Sequence, residues 1–225
     1  MIGMILAGGR GERLRPLTDK TPKPMLPVKG RPLVEWQIEL LKKYGISDIV
    51  ICGHYMFDKI KQLGDGSRFG VTIKYFYETA PLGTGGAMKN TASIVDDTTV
   101  VIYGDIFTNI DIKNLLTFHK NKSADATIVL HESLHPEDSD AVEVDSNNRI
   151  IRILGRGTNV RLTKSSIYVL EPIVFDFIEE KCSFENDILP IIIKKCNVFG
   201  YTTDETIMDV GTLQRYSEAN KEAIK

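Results

Sequence analysis

Residues 2–18 read IGMILAGGRGERLRPLT, and this stretch decides how the fold begins. Its first part, Ile2–Leu6, is a short apolar run that is typical of a buried strand. A glycine-rich turn, Gly8-Gly9-Arg10-Gly11, follows at once. Glycines at the carboxyl end of a buried strand let backbone amides approach an anionic group closely. The stretch therefore predicts an anion site directly after the first strand.

Two known glycine-loop patterns do not fit this stretch. The dinucleotide pattern GxGxxG matches Gly9 and Gly11 but then lacks its third glycine, and the P-loop pattern GxxxxGK[ST] occurs nowhere in the chain. What remains is a glycine loop with three arginines, Arg10, Arg13 and Arg15. We predict that their guanidinium groups face a polyphosphate. The competing interpretation is a surface loop with solvated basic residues.

A further basic group lies a little downstream, in the segment Thr21-Pro22-Lys23-Pro24-Met25-Leu26-Pro27. Prolines stiffen the backbone and remove hydrogen-bond donors. We therefore expect Lys23 to be presented from a rigid segment as a point charge.

Apolar runs and helical periodicities alternate along the first half of the chain. Further strands are predicted over Ile49–Cys52, Val71–Tyr77 and Thr99–Tyr103, and helices over Pro32–Tyr44, Tyr55–Leu63 and Thr84–Ile94. Strands that alternate with helices imply right-handed crossovers and a mostly parallel sheet. We therefore expect an α/β core.

The second half of the chain is more mixed. Asp111 is expected to cap a helix that runs through Lys120, and Ser146-Asn147-Asn148 is a hairpin signal. Strands are predicted over Ala126–Leu130, Ala141–Asp145, Ile150–Leu154, Ser166–Leu170, Val198–Tyr201 and Thr206–Met208, and helical segments over Val174–Lys181, Asp187–Cys196 and Thr212–Ile224. Because no repeat or low-complexity linker interrupts the chain, a single domain over residues 1–225 is the simplest organisation.

The composition argues against several classes of protein. The chain has 225 residues and a formal net charge of −2, whereas nucleic-acid binders usually carry a basic field. Its 3 cysteines form no CxxC pair, which argues against a disulfide framework or a zinc site. No apolar run approaches the roughly 20 residues that a bilayer demands, and no basic segment of a signal peptide begins the chain. We expect a soluble, cytoplasmic protein with neither a nucleic-acid nor a membrane partner.

Two aspartates each follow an apolar strand, Asp105 after Val100–Tyr103 and Asp209 after Ile207-Met208. Both are expected at the same edge of one sheet, where two carboxylates repel each other unless a cation lies between them. Mg²⁺ suits this position because it takes oxygen ligands together with substrate phosphates. The alternative for Asp209 is a helix N-cap ahead of Gly211-Thr212.

Several motifs together carry a family resemblance. They are LAGGRGERLRPLT (residues 6–18), PKPML (22–26), YETAPLGTGGA (77–87), Gly104-Asp105, SFEND (183–187) and MDVGT (208–212). In this order they resemble the sugar-1-phosphate nucleotidylyltransferases over nearly the whole chain. The resemblance implies a Rossmann-like, doubly wound fold with a mostly parallel mixed sheet flanked by helices. It also implies an Mg²⁺-dependent reaction that joins a nucleoside triphosphate to a sugar-1-phosphate and releases pyrophosphate.

The resemblance also implies roles for single residues. Arg13 would hold the triphosphate and then the pyrophosphate, and Lys23 would neutralise the α-phosphate region. Asp105 and Asp209 would bind the metal. The residues expected to contact the nucleotide are Leu6, Ala7, Gly8, Gly9, Gly11, Glu78, Gly83 and Gly85. The nucleotide half would cover about residues 1–110 and the sugar-phosphate half about residues 111–225.

The segment Gly83–Ala87 has two interpretations that can hold together: a surface against which a flat base lies, and a glycine-rich helix start. Its sequence context, PLGTGGA, resembles guanylyltransferases that act on mannose or manno-heptose phosphates. This favours GTP as the nucleotide and a place in nucleotide-sugar and polysaccharide biosynthesis.

The sugar side departs from the family pattern. Members usually have Asn and two small residues ahead of Ile-Tyr or Val-Tyr, whereas this chain has Lys164-Ser165-Ser166-Ile167-Tyr168. Lys164 either meets an acidic substituent or second phosphate, or points to solvent. The usual Glu-Lys pair is missing, so Arg156 or Arg161 would substitute for its lysine. Glu185 is the further residue expected to contact the sugar phosphate.

Alternatives to this function are open at this point. In the first alternative, the chain transfers a cytidylyl or other nucleotidyl group to a different sugar or to a non-sugar phosphate. In the second, it binds nucleotide sugars without catalysis. The sequence does not determine the oligomeric state, although exposed strands in the second half could pair two copies in a homodimer. From the 225 residues we expect the transferase core alone, without an added acyltransferase or β-helix domain.

Overall fold

The structure, a computed structural model, describes residues 1–132, 139–157, 160 and 162–221. The chain forms two compact units, each assembled from separate segments. The first comprises Met1–Leu82, Ile102–Ile110 and Thr206–Lys225, and the second comprises Gly83–Val101 and Asp111–Glu205. The expectation of one domain with a nucleotide half and a sugar-phosphate half stays a prediction.

The strands and helices follow in chain order. The strands are β1 (Ile2–Leu6), β2 (Pro27–Val28), β3 (Arg31–Pro32), β4 (Asp48–Gly53), β5 (Thr72–Tyr77), β6 (Thr99–Tyr103), β7 (Ile106–Thr108), β8 (Ala126–Glu132), β9 (Ala141–Val144), β10 (Ile150–Gly155), β11 (Leu162–Leu170), β12 (Val198–Thr202) and β13 (Ile207–Asp209). The helices are α1 (Leu33–Lys43), α2 (Phe57–Ile60), α3 (Gly83–Lys89), α4 (Ile112–Asn121), α5 (Leu189–Lys195) and α6 (Leu213–Lys221).

The first unit is built on parallel strands. β4 pairs with β1 on one side and with β5 on the other, with Ile2 opposite Asp48 and Asp48 opposite Thr72. All residues of β1 are buried, as expected for a parallel strand whose two faces are both covered. The carboxyl end of β6 lies beside β1, since the Gly104 N–H donates to the Leu6 carbonyl at 2.8 Å. The strand ends of β1 and β6 therefore come together.

A short antiparallel ladder adds to this unit. β7 pairs with β13, with Asp209 opposite Ile106. The sequence pattern did not predict β7, because three residues directly after a turn show no periodicity. The pairing brings the end of β13 to the turn that joins β6 and β7.

Helix α1 has the predicted amphipathic character, and its predicted extent is confirmed to within a residue at each end. Its buried residues are Leu33, Val34, Gln37, Ile38, Leu40 and Leu41. Gln37 is the polar member of this otherwise apolar set. Gly45, with φ of +79°, follows the helix and supplies the left-handed conformation that often ends one.

The second unit contains a mixed sheet. β8 pairs with β11 in antiparallel fashion and with β12 in parallel fashion, and β9 pairs with β10 and β11. The predicted hairpin between β9 and β10 is confirmed. Its turn is held by Asp145 Oδ1, which accepts hydrogen bonds from the amides of Asn147 and Arg149 at 2.8 Å each.

The α/β class is thus confirmed, whereas several predicted helices are shorter than expected. The segment 174–181 forms only the end of a 3₁₀ turn, Pro172–Phe177, after which Ile178 is extended. The segment 84–94 breaks after Lys89, and 55–63 contains one α-helical turn followed by a 3₁₀ turn. Short helices of this kind depend on tertiary contacts more than on local pattern. No helix within the described residues is long and apolar enough to cross a membrane.

The cap of α4 is confirmed and gives the first testable prediction. Asp111 Oδ1 accepts a hydrogen bond from the Asn114 amide at 3.0 Å. Asp111→Ala is expected to lower the free energy of unfolding by about 1 kcal/mol, because an orphan helix amide loses its acceptor. Asp111→Asn keeps a capping oxygen, so its free energy of unfolding should stay within a few tenths of a kcal/mol of the wild-type value. Urea unfolding curves measure both, and equal losses in the two variants would contradict the capping role.

Candidate active site

The glycine loop after β1 is held by a tight local contact. Gly11 has φ of +65°, and its carbonyl accepts a hydrogen bond from Thr18 Oγ1 at 2.8 Å. A Cβ atom at Gly11 would lie 2.9 Å from Thr18 Cγ2, so the site favours glycine on two grounds. Leu14, which follows the glycines in this loop, is fully buried. The loop therefore has a defined conformation, which the Gly11–Thr18 contact and the burial of Leu14 stabilise.

Four of the residues predicted to contact the nucleotide, Leu6, Ala7, Gly8 and Gly9, lie at the carboxyl end of β1. Leu6 and Ala7 are buried at the end of β1, Gly8 is half-buried and Gly9 is exposed. The Ala7 amide donates to the Cys52 carbonyl at 2.7 Å and continues the ladder with β4. Beyond Ala7 the backbone leaves the sheet, which is where an anion site was predicted.

The three loop arginines have different environments. Arg10, Arg13 and Arg15 are all exposed. Arg15 forms a surface ion pair with Asp19, at 3.4 Å from Nε to Oδ1, so the solvated-loop interpretation fits this residue. Arg13 Nη2 lies 3.1 Å from the place where a Cβ atom on Gly211 would stand. Arg13 therefore approaches the segment that follows β13.

Lys23 lies at the end of β6 as part of an ion pair. Its Nζ is 2.5 Å from Asp105 Oδ2, and its side chain is 13% exposed. Pro24 is buried, and a Cβ atom at Gly104 would lie 2.9 Å from Pro24 Cγ. The close approach of Pro24 to Gly104 brings the lysine to Asp105, and the surface-loop interpretation does not apply to Lys23.

The two candidate metal ligands are brought together, but the prediction that they share one sheet was wrong: Asp105 follows β6 of the large sheet, and Asp209 lies in β13, which pairs with β7 in a separate two-stranded sheet. The Val210 amide donates to the Asp105 carbonyl at 2.9 Å, directly after the pairing of Asp209 with Ile106. Burial raises the pKa of Asp209, and the negative charge of Asp105 raises it further. Lys23 and Arg215 act in the opposite direction. The two carboxylates thus share one electrostatic environment.

Asp209 is not a helix cap. It lies in β13, whereas α6 begins at Leu213. The capping bond of this helix comes from Thr212, whose Oγ1 accepts from the Arg215 amide at 3.3 Å. The alternative interpretation of Asp209 was therefore wrong.

Arg215 belongs to the site and was missed by the sequence analysis. Its Nη1 donates to Asp209 Oδ2 at 3.2 Å, and its side chain is 13% exposed. The only sequence signal was a basic residue in the first turn of α6, where the helix dipole disfavours one. Gly211 is needed beside this pair, because a Cβ atom there would stand 2.6 Å from Asp209 Oδ1.

The donor set fits a divalent cation that also takes substrate oxygens. Asp209 Oδ1 is buried and has no hydrogen-bond partner within the described part of the chain. Lys23 already places a positive charge against Asp105. Within the same described residues, no group of three or more His, Cys, Asp or Glu side chains forms a complete cage. Two carboxylates plus phosphate and water oxygens are the mode of binding that Mg²⁺ favours.

Glu78 lies beside the glycine loop at the end of β5. It is 5% exposed, and its Oε2 accepts a hydrogen bond from the Leu82 amide at 3.2 Å. A Cβ atom at Gly8 would lie 3.5 Å from Glu78 Oε1. Burial raises the pKa of Glu78, while the Leu82 amide and His54 lower it. A carboxylate thus faces the glycine loop predicted to hold the nucleotide.

In the second unit, the start of α3 packs against residues 182–185. A Cβ atom at Gly83 would clash with the Cys182 carbonyl oxygen, and one at Gly85 would clash with Cys182 Sγ. The Gly85 amide donates to the Cys182 carbonyl at 3.0 Å. The glycines at both positions therefore have a packing reason of their own, and their contact with a base stays a prediction.

Glu185, in the second unit, accepts hydrogen bonds from side-chain hydroxyl groups. Its Oε2 accepts from Thr84 Oγ1 at 2.7 Å and from Ser183 Oγ at 3.2 Å. Its Oε1 accepts from the Tyr168 hydroxyl at 3.3 Å. Hydrogen bonds to an ionised carboxylate are stronger than those between neutral groups, so the orientation of Glu185 is well determined.

Lys164 does not point to solvent, so that alternative was wrong. Its side chain is 8% exposed, and its Nζ is 3.0 Å from Asp140 Oδ2. Asp140 Oδ1 also lies 3.5 Å from Nε of Arg156, whose side chain is 67% exposed. Asp140 was missed by the sequence analysis because nothing in its local pattern marks it. Arg161 lies outside the described residues.

The comparisons with known proteins agree with the motifs. The chain belongs to the nucleotidyl transferase family, which it matches over residues 2–225. It is 31% identical, over 99% of its length, to the mannose-1-phosphate guanylyltransferase of Mycobacterium tuberculosis and covers 64% of that protein. It is 32% identical, over 96% of its length, to the D-glycero-alpha-D-manno-heptose 1-phosphate guanylyltransferase of Campylobacter jejuni and covers 97% of it. The chain spans 61% to 64% of the length of the mannose-1-phosphate enzymes it matches.

Solved structures show the same fold. A Bacillus anthracis protein described as a candidate glucose-1-phosphate thymidylyltransferase, solved with sucrose, gives a TM-score of 0.88 at 28% identity, with 98% of this chain and 94% of that chain covered. HddC from Yersinia pseudotuberculosis complexed with GMP-PN gives 0.83 at 26% identity, with 98% of each chain covered. These likenesses confirm the predicted Rossmann-like, doubly wound fold.

The raised pKa of Glu78 gives a pH prediction. Folding favours the protonated carboxyl, so the folded chain loses stability as pH rises from the unfolded pKa, about 4.3, through the folded one. Glu78→Gln carries no such titration and can still accept the Leu82 amide. Its free energy of unfolding relative to the wild type is expected to rise with pH over this window and then level off. Urea unfolding across the pH range measures this, and a difference that does not depend on pH would contradict it.

Proposed function

We propose that this chain transfers the guanylyl group of GTP to a sugar-1-phosphate of the mannose or manno-heptose type and releases pyrophosphate. The observation that carries the proposal is the cluster at the ends of β1, β6 and β13. There Lys23 and Arg215 pair with Asp105 and Asp209, while Arg13 approaches from the glycine loop. Three cations and two carboxylates are a donor set for a polyphosphate bound with a metal ion.

The proposed reaction is an in-line displacement at phosphorus. An oxygen of the sugar-1-phosphate forms a bond to the α-phosphorus of the nucleotide, and the bond from that phosphorus to the bridging oxygen of pyrophosphate breaks. The attacking oxygen is an anion at neutral pH, so no general base is needed. The barrier lies in bringing anions together and in stabilising charge on the phosphorus oxygens.

The chain's own residues supply this stabilisation. Lys23 neutralises the α-phosphate region, and Arg13 holds the triphosphate and then the pyrophosphate. Asp105 and Asp209 would hold Mg²⁺, which supplies a template and a Lewis acid for the phosphates. Family members typically use a divalent metal, and the paired carboxylates support the assignment here.

Glu78 supports guanine as the base. A guanine edge presents two adjacent N–H donors, its ring N1–H and its exocyclic N2–H₂, and an ionised carboxylate accepts both. A thymine or uracil edge presents one N–H between two carbonyls, which a carboxylate repels. The guanylyltransferase relatives and the GMP-PN complex of HddC agree with this preference.

On the sugar side, the proposal assigns Glu185, Lys164 and Arg156. Glu185 already accepts from three hydroxyl groups, which is the hydrogen-bond chemistry that sugar hydroxyls also offer. Lys164 and Arg156 share Asp140, so this group carries one net positive charge for the sugar phosphate.

The direct test is a grid of four nucleoside triphosphates against a panel of sugar-1-phosphates, read as pyrophosphate release with Mg²⁺. GTP with mannose-1-phosphate or manno-heptose-1-phosphate is expected to give the highest rate. Tight nucleotide binding with no release in any combination would remove the enzyme and leave a binding module.

Two substitutions test the cluster. Arg13→Ala and Asp105→Ala are each expected to lower kcat/KM at least about 100-fold, because each removes a charged group that acts on the phosphates. The free energy of unfolding should change by less than about 2 kcal/mol. Arg68→Ala removes an exposed arginine that pairs with Glu35, and it is the matched control with unchanged turnover. Near-normal pyrophosphate release by Arg13→Ala or Asp105→Ala would refute the assignment.

Base selectivity tests Glu78 separately. Glu78→Gln replaces one acceptor oxygen by a donor, so the ratio of kcat/KM for GTP to that for dTTP is expected to fall about 10-fold or more. Steady-state rates with both nucleotides measure this ratio. Glu132→Gln, an exposed change in the second unit, should leave the ratio unchanged.

A further inference from the structure

We propose that Gln37 is a positioning residue that fixes the turn carrying Asp105. Its Nε2 donates to the Tyr103 carbonyl at 2.8 Å and to the Ile106 carbonyl at 2.8 Å. These two carbonyls stand immediately before and after Gly104-Asp105. The side chain of a helix residue therefore ties together both ends of the turn between β6 and β7. The inference rests on the proposed function, which makes Asp105 a metal ligand.

The turn is restrained from three directions. Gly104 donates its N–H to Leu6 and packs closely against Pro24, and the Asp105 carbonyl accepts the Val210 amide. These contacts hold the turn to β1 and β13. Gln37 is the restraint from α1, and it is 2% exposed. Because Gln37 Nε2 donates to two carbonyls of the same turn, the side-chain amide is held in a single orientation.

Burying the Gln37 side chain costs free energy, and the two hydrogen bonds that its Nε2 donates offset this cost. Its Oε1 is buried and accepts no hydrogen bond within the described residues. A buried polar atom without a partner costs roughly 1–3 kcal/mol. The neighbouring buried positions of α1 are apolar, and an apolar residue at 37 would avoid this cost. The same residue would remove one donor from each of the Tyr103 and Ile106 carbonyls, on either side of Gly104-Asp105.

The consequence is a difference between two kinds of substitution on one helix. Gln37→Met fills a similar volume but donates nothing, so the turn loses its restraint from α1. Leu41→Ala removes buried apolar volume from the same helix where it packs under Gly3, away from the turn. Both variants lower the free energy of unfolding, and only Gln37→Met is expected to move Asp105.

The experiment uses the full chain and two readouts. Binding of Mn²⁺ alone, measured by electron paramagnetic resonance of the free ion, reports on the carboxylate pair. Amide hydrogen exchange at Val210, whose N–H is bonded to the Asp105 carbonyl, reports on the turn without any metal. We expect Gln37→Met to raise the Mn²⁺ dissociation constant about 10-fold or more and to speed exchange at Val210. Leu41→Ala should leave the Mn²⁺ constant at the wild-type value.

Failure of this inference and failure of the proposed function are distinguishable. Asp105→Asn is measured alongside, and it should lose Mn²⁺ binding. Wild-type Mn²⁺ affinity and Val210 exchange in Gln37→Met, with binding lost in Asp105→Asn, would overturn the role of Gln37 alone. No Mn²⁺ binding by the wild type would overturn the metal site and the inference with it. If Gln37→Met does not fold, Gln37→Asn, which is too short to reach both carbonyls, is measured by the same criteria.

Discussion

Repulsion between two carboxylates is the constraint on which the first unit's site depends. Asp105 and Asp209 are near enough for the charge of one to raise the pKa of the other. Such a pair is stable only where cations and donors compensate it. Lys23 reaches Asp105 because Pro24, the residue after it, packs closely against Gly104 at the end of β6, and Arg215 reaches Asp209 from the first turn of α6. Each cation comes from a different segment of the chain, so the site forms only when those segments fold together.

This dependence explains what the sequence could and could not predict. The strands that carry Asp105 and Asp209, the glycine loop and the buried face of α1 follow from periodicity, because each is a local pattern with a single solution. β7 was missed because three residues carry no period, yet its pairing with β13 places Asp209 opposite Ile106, the residue that follows Asp105. Gln37 was visible as a polar residue among the apolar positions of α1, but its target, the Asp105 turn, is tertiary. Asp140 gave no signal at all.

The glycines also show how far the sequence alone predicts the site. A glycine-rich stretch indicates close approach but does not say what approaches. At Gly11 the close neighbour is Thr18 of its own loop, and at Gly83 and Gly85 it is Cys182. At Gly9, by contrast, nothing lies within 4 Å of a Cβ position. Of these, Gly9 is the position whose freedom the fold itself does not require, so a requirement for glycine there would come from the ligand.

Lys23 links the balanced charge of the chain to the proposed chemistry. The net charge is −2, so the chain has no general attraction for polyanions, and phosphate binding depends on local cations. Lys23 is neutralised by Asp105 at 2.5 Å. Asp105 and Asp209 would hold the divalent cation of the proposed reaction, and its charge would add to that of Lys23 at the same cluster. The positive charge that meets the phosphates would therefore be confined to this site, in a chain whose net charge is −2.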